Sequence, residues 1–169
     1  MNDTLARDKI ASLAKSNPKK ALEGARKISD PWFRAQALAW ILRFTDADLD
    51  LIASLIEKSA NACNDAYKCC AVRAWEIAAL SERNILSKAK KILNTATRQA
   101  QNVTPLSSRS EALFLLFQAA VRIGEAEALL VHKELNSSCA TDGHWRCQRA
   151  IRDAAKILAG TLESRKFFW

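Results

Sequence analysis

Four stretches of the chain repeat one pattern of apolar positions. Ala37-Leu38, Ala71-Val72, Ala112-Leu113 and Ala150-Ile151 occupy matching places, spaced 34, 41 and 38 residues apart. Four positions after the first Ala of each stand Ile41, Trp75, Leu116 and Ala154; eight positions after it stand Thr45, Ala79, Ala120 and Leu158. An apolar stripe at this spacing is the buried face of a helix. The punctuation between the stretches is equally legible. Asn17-Pro18 and Asp30-Pro31 each join a capping side chain to the residue favoured at the first helical position. Ser108 and Glu111 have capping-box spacing, and Gly124 stands where a helix ending at Ile123 needs a left-handed residue. Thr45 or Asp46, Asn64 or Asp65, Asn84 and Asp142 are further helix starts. These marks predict about nine helices, near 4–16, 18–29, 31–44, 46–62, 65–81, 84–101, 106–123, 125–136 and 142–163.

Each repeated stretch follows another helix, so the unit is a pair of antiparallel helices. One pair cannot bury its own apolar face, and a period of 34 to 41 residues predicts a stack of about four hairpins after an N-terminal helix. The units run 18–45, 46–82, 83–123 and 124–163 within a single domain, 1–169, and an aromatic tail occupies 164–169. Ala37, Ala71, Ala112 and Ala150 should then be buried on neighbouring second helices. An irregular helical bundle is the competing architecture.

The stretch Asp30-Pro31-Trp32-Phe33-Arg34-Ala35-Gln36-Ala37-Leu38 resembles the turn and second helix of a HEAT-type repeat. That family sets Asp and Pro at the turn, then a bulky residue and Arg, then small and apolar residues. Asp65-Ala66-Tyr67-Lys68, leading to Ala71-Val72, keeps the pattern with Lys for Arg and without Pro. The third copy keeps Arg109 three positions before Ala112, and the fourth moves its base to Arg146 and has Cys147 at the aligned place. The resemblance implies an all-α, right-handed HEAT-like α-solenoid. It also implies that Arg34, Lys68 and Arg109 pair with turn Asp residues of neighbouring repeats, a ladder that suits Asp30 and Asp65. Lining the concave surface instead, the same three bases form a basic stripe. The TPR pattern of Trp, Gly, Tyr and Pro at fixed offsets is missing. At the level of architecture alone, a basic, Trp-rich HEAT-like chain also resembles the bacterial alkylpurine DNA glycosylases, but none of their catalytic residues maps here.

Composition removes other classes. Thirty Ala and twenty Leu stand against four Val, four Gly and three Pro, which argues against sheets. The scattered glycines exclude a Gly-rich phosphate loop. The most apolar stretch, 112–121, is interrupted by Gln118 and is about half a membrane crossing, so no membrane role is expected. Residues 1–20 include Asp3 and Asp8 and no apolar h-region, unlike a signal peptide; the expectation is a cytoplasmic protein. Cys63, Cys69, Cys70, Cys139 and Cys147 are then expected as free, largely buried thiols.

The net charge of +8 is unevenly spread. Residues 1–44 carry +5, 45–82 carry −4, 83–122 carry +6 and 123–169 carry +1. Lys88, Lys91 and Arg98, with Lys90 beside them, cluster near one face of the predicted helix 84–101, a pattern that attracts phosphates or acidic proteins. Arg146, Arg149 and Arg152 add bases to the last second helix. Trp75 falls in the apolar column and belongs to the core. Trp32 and Trp145 sit in first turns of second helices, where they pack against the next repeat or offer a stacking platform beside Arg34 and Arg146. Phe167-Phe168-Trp169 either caps the last apolar face or offers a docking tail, and the cap is favoured.

Catalytic chemistry is hard to find. His132, His144, Cys139 and Cys147 put four potential zinc ligands within sixteen residues, but at a spacing that matches no familiar knuckle, so no metal is expected. Cys69-Cys70 have no nearby His to act as base, and Glu125 and Glu127 point apart on a helix. The reading is a non-enzymatic interaction module without a cofactor, binding an as yet unidentified protein through its second helices. Nucleic-acid binding by the basic faces is the alternative. The candidate contacts are Trp32, Arg34, Lys68, Lys88, Lys91, Arg98, Arg109, Trp145, Arg146 and Arg149.

Overall fold

A computed structural model describes residues 2–45 and 48–169. Among these the chain is all-α, with ten helices and no strand. They are α1 (Asp3–Ala14), α2 (Pro18–Ala25), α3 (Pro31–Leu42), α4 (Leu49–Asn61), α5 (Ala66–Ala71), α6 (Arg73–Glu82), α7 (Leu86–Ala100), α8 (Leu106–Ala120), α9 (Glu125–Cys139) and α10 (Trp145–Leu158). No helix is long and apolar enough to cross a membrane among the described residues.

The caps explain most starts. Asn17, Asp30 and Asp65 accept hydrogen bonds from the backbone N–H of Lys20, Trp32 and Lys68, at 3.0, 2.8 and 2.7 Å. Each satisfies an orphan donor of a first turn. Asp46, an expected start, lies outside the described residues; Asp48 caps α4 through the N–H groups of Asp50 and Leu51. Five expectations need correction. Ser108 lies inside the first turn of α8, which follows Pro105 and has no side-chain cap. Asn84 ends a helix: its φ of 58° puts it in the left-handed region, and Ile85 N–H closes back on Leu80 C=O in a Schellman turn. Gly124 has an extended backbone and precedes α9. The helix expected at 142–163 is only Trp145–Leu158, because His144 caps its start and Gly160, at φ +71°, ends it. The helix expected at 65–81 is interrupted at Val72, whose carbonyl accepts a tighter 3₁₀-type bond from Trp75.

Packing follows the small residues. Ala37, Ala71, Ala112 and Ala150 are fully buried. Helices α3, α6, α8 and α10 touch in that order, with α5 also against α8, and α1 covers α2 and α3. Helix α4 packs on α3, α7 on α6, and α9 on both α8 and α10. In α3 every residue from Ala35 to Leu42 is buried, as expected of a helix covered on all sides. Helix α10 buries only Cys147, Ala150, Ala154 and Ile157, one stripe with its basic side left outside. Gly24 lets α1 approach α2, since a Cβ there would stand 2.4 Å from Ile10 Cδ1.

Candidate functional site

The helices α8, α6 and α3 present a common face, and residues 165–169 lie across it without helical structure. Gly160 turns the chain at the end of α10, with Thr161 N–H closing on Lys156 C=O at 2.9 Å. The segment first meets α8, where Gln118 Oε1 accepts the backbone N–H of Arg165 and Arg122 Nη2 donates to its carbonyl, both at 2.9 Å. Phe167 then packs edge-on against Trp75 of α6, ring centroids 5.5 Å apart, and is 1% exposed. Phe168 and Trp169 pack edge-on against Trp40 of α3, at 5.0 and 5.2 Å. Guanidinium groups face these rings: Arg122 lies 5.6 Å from Phe167, Arg43 4.2 Å from Phe168, Arg7 of α1 4.9 Å from Trp169, and the segment's own Arg165 5.2 Å from Trp75 and 5.9 Å from Phe167. Each such pair is a cation–π contact, stronger where water is excluded.

The walls are rigid and polar at chosen points. Buried Gln36 accepts from Arg7 Nη1 at 2.8 Å, Arg7 also holds Asp8, and Arg43 holds Glu82 at 2.6 Å. Trp75 continues into Trp32 at 5.4 Å, and Trp32 stacks on Tyr67 at 6.1 Å. Burial pushes the Tyr67 hydroxyl above its ordinary pKa. Two donors, Trp40 Nε1 and Arg122 Nε, are buried without a hydrogen-bond partner among the described residues. The aromatic tail therefore folds back, but not over the last unit as expected. It crosses α8 and settles on Trp75 of α6 and Trp40 of α3.

A second place gathers exposed chemistry. Trp145, 60% exposed at the start of α10, carries Arg146 and Arg149 over its ring at 5.4 and 5.3 Å. With Tyr67, Ser108 and Glu111 they line an open cleft of about 390 Å³. Glu111 holds Arg149 at 2.5 Å. The structure thus brings Trp145, Arg146 and Arg149 together, and sets Trp32 at the other side of Tyr67.

The remaining candidates are dispersed. Arg34 donates to Ser59 Oγ and to the Ile28 carbonyl, at 3.0 and 2.9 Å, and Arg109 donates to the Val103 carbonyl at 3.0 Å. Lys68 reaches Asp65 of its own turn at 3.9 Å. The expected ladder to neighbouring turn Asp residues is replaced by tethers to each residue's own turn. The same tether recurs with other chemistry: Cys69 donates to the Cys63 carbonyl and Gln148 to that of Asp142, again six residues back. Lys88 pairs with Asp50 of α4, and Lys90 with Glu127 of α9 at 2.6 Å, so the basic block meets acids of flanking helices. Lys88 and Lys91 edge a cleft of about 290 Å³ between α4, α6 and α7, with Asp50, Glu57, Arg73 and Glu76. Arg98 lies in a different cleft, between α7 and α9. They do not form one patch.

Glu76, fully buried, accepts from Arg73 Nε at 2.6 Å and leaves Oε1 without a partner. Burial raises its pKa, opposed by the Arg73 charge. The zinc candidates do not converge. Cys139 and Cys147 adjoin, but His144 caps α10 and His132 packs on Phe117 beside Asn136. Among the described residues no group of three His, Cys, Asp or Glu is placed to hold a metal. Burial pushes the Cys63 and Cys70 thiols up to about 11 and about 12, which disfavours the nucleophilic thiolate.

Sequence reasoning missed Arg7, Gln36, Trp40, Arg43, Gln118 and Arg122 as parts of the covered face. Only the abundance of Trp and the closing aromatic triplet hinted at them. No family model, curated protein or solved structure matches the chain.

Proposed function

We propose that the chain is a non-enzymatic interaction module, a HEAT-like, right-handed stack of about four helical hairpins that binds a partner protein through its second helices. The carrying observation is that the face of α8, α6 and α3 already holds an extended peptide, residues 165–169, by backbone bonds and aromatic slots. Second helices that touch in chain order, with Ala37, Ala71, Ala112 and Ala150 buried between them, support the array. Five free thiols suit the reducing cytoplasm as the place of work.

The test is capture from the native host by the wild-type chain, by Arg43→Glu/Arg122→Glu, and by Trp145→Ala/Arg146→Ala. Loss of one specific protein with the first pair alone supports the reading. Capture unchanged by both pairs overturns it. Exposed Trp145 between Arg146 and Arg149 favours a second reading, nucleic-acid binding at the α10 cleft. A gel-shift series with single- and double-stranded DNA across salt concentrations checks it. Phosphate contacts lose affinity steeply with salt, at roughly 0.9 log units per contacted phosphate on B-DNA per decade. A shift lost in Trp145→Ala/Arg146→Ala supports this reading, and no shift at low salt removes it.

A further inference from the structure

The covered face is not fully matched to the segment that covers it. Its two backbone bonds, from Gln118 and Arg122 to residue 165, read an extended chain without regard to side chain. Its two deep slots, on Trp75 and Trp40, take consecutive aromatic rings. Arg165 also lays its guanidinium over the Trp75 ring at 5.2 Å and the Phe167 ring at 5.9 Å, but in charge and hydrogen bonding the fit is incomplete. The segment brings Arg165 and Lys166 to a face that already carries Arg7, Arg43 and Arg122. Asp8 answers Arg7 and Glu82 answers Arg43, but the acceptor that meets Arg122 is the uncharged carbonyl of Arg165, and its Nε has no hydrogen-bond partner among the described residues. Trp40 Nε1 is likewise left without an acceptor. Buried donors without acceptors are costly, and a charged acceptor beside a guanidinium makes a stronger bond than a neutral one. Trp169 meets Trp40 and Arg7 on one side and remains 69% exposed on the other.

We infer that this face is a peptide site whose proper occupant carries acidic residues immediately before two consecutive aromatics, and that residues 165–169 hold the place in its absence. This rests on the protein-binding reading of the second helices and specifies the partner's chemistry. A carboxylate in place of Arg165 or Lys166 would meet Arg122 and supply the acceptor that the present occupant lacks. Residues 159–163 are exposed and form the tether. A short tether of this kind keeps the covering segment at an effective concentration on the order of a millimolar. The partner must outbind it, which makes the segment a filter against weak ligands.

Two fluorescein-labelled peptides test this, Ser-Glu-Glu-Phe-Phe-Trp and the chain's own Ser-Arg-Lys-Phe-Phe-Trp, titrated with the full chain by fluorescence anisotropy. The acidic peptide should bind about tenfold more tightly, the gain expected of one charge-assisted hydrogen bond. Trp169→Ala, at an exposed position, should loosen the covering segment and strengthen binding of both peptides. Arg122→Gln should erase the preference for the acidic one. Circular dichroism melts confirm that each variant is folded, and should Arg122→Gln fail to fold, Trp169→Ala still reports release of the segment. Equal binding of the two peptides overturns the acidic assignment while leaving the face a peptide site. Binding of neither peptide by either wild-type or Trp169→Ala chain overturns the inference, and the broader reading then rests on the capture experiment alone. Displacement of bound peptide by single-stranded DNA also overturns it.

Discussion

Two regions of the molecule combine Trp with Arg, and they differ in what covers them. On α3 and α6, Trp40 and Trp75 are 5% and 4% exposed beneath residues 165–169. On α10, Trp145 lies open, held only by its own Arg146 and Arg149 and by the His144 ring at 6.0 Å. Both regions place guanidinium groups over indole rings. The difference shows that residue type does not separate structural from available surface here; the path of five distant residues does.

The sharpest way to break the comparison is truncation of one Trp in each region. Trp75→Ala should cost about 3–5 kcal/mol of stability, the range for a large buried aromatic. Trp145→Ala should stay within about 0.5 kcal/mol, as for an exposed side chain. Urea denaturation followed by circular dichroism measures both. Comparable losses would mean that the α10 cleft is as structural as the covered face.

Next comes pH, because Glu76, the residue after Trp75 in α6, faces the cleft with α4 and α7 instead of residues 165–169. The folded pKa of Glu76 is raised above 4.5, chiefly by burial. Between the ordinary and the raised value the folded state binds more protons than the unfolded, so this group's contribution falls as pH rises through that window. Thermal melts should show a decline from about pH 4.5 upward that Glu76→Gln flattens. Tryptophan emission should stay constant across the same window, since the titrating carboxyl lies away from residues 165–169. A shift in emission would join the two sides of α6.

Smaller effects refine the covered region. Gly160→Ala places a side chain at φ +71° and should cost about 1 kcal/mol, with emission of the covered Trp40 and Trp75 moving toward that of a solvated indole. Arg43→Gln removes the cation over Phe168 and should cost about 0.5–1 kcal/mol, read by the same denaturation. Neither change should alter the α10 cleft.

The parts of the fold readable in the sequence are those set by neighbours along the chain. Asn17, Asp30 and Asp65 cap as their dipeptides promise, because a cap needs only the next three residues. The four Ala columns are buried because helical spacing alone puts them on one face. Asn84 and Gly124 are ambiguous in sequence since either residue type serves at a start or an end, and the backbone decides. The candidate site was less legible. Trp145, Arg146 and Arg149 share one helix turn or the next, so their meeting could be foreseen. Nothing local joins residue 168 to residue 40, or residue 165 to residue 118. Lys88 and Lys90 looked like a free basic face because Asp50 and Glu127, which meet them, lie 38 and 37 residues away.

Trp169 rests on Arg7, so a helix near one end of the chain is in contact with a residue near the other. Helices at the edge of a packed set can open before those in the middle. A strap from beyond α10 across α8, α6 and α3 to α1 opposes that, because loosening either end also strips rings from Trp40 and Trp75. The expected consequence is cooperativity: amides of α1 and α10 should exchange hydrogen at rates close to those of α6, through global rather than local opening. Releasing the strap should leave the middle helices protected while the outer ones begin to exchange early.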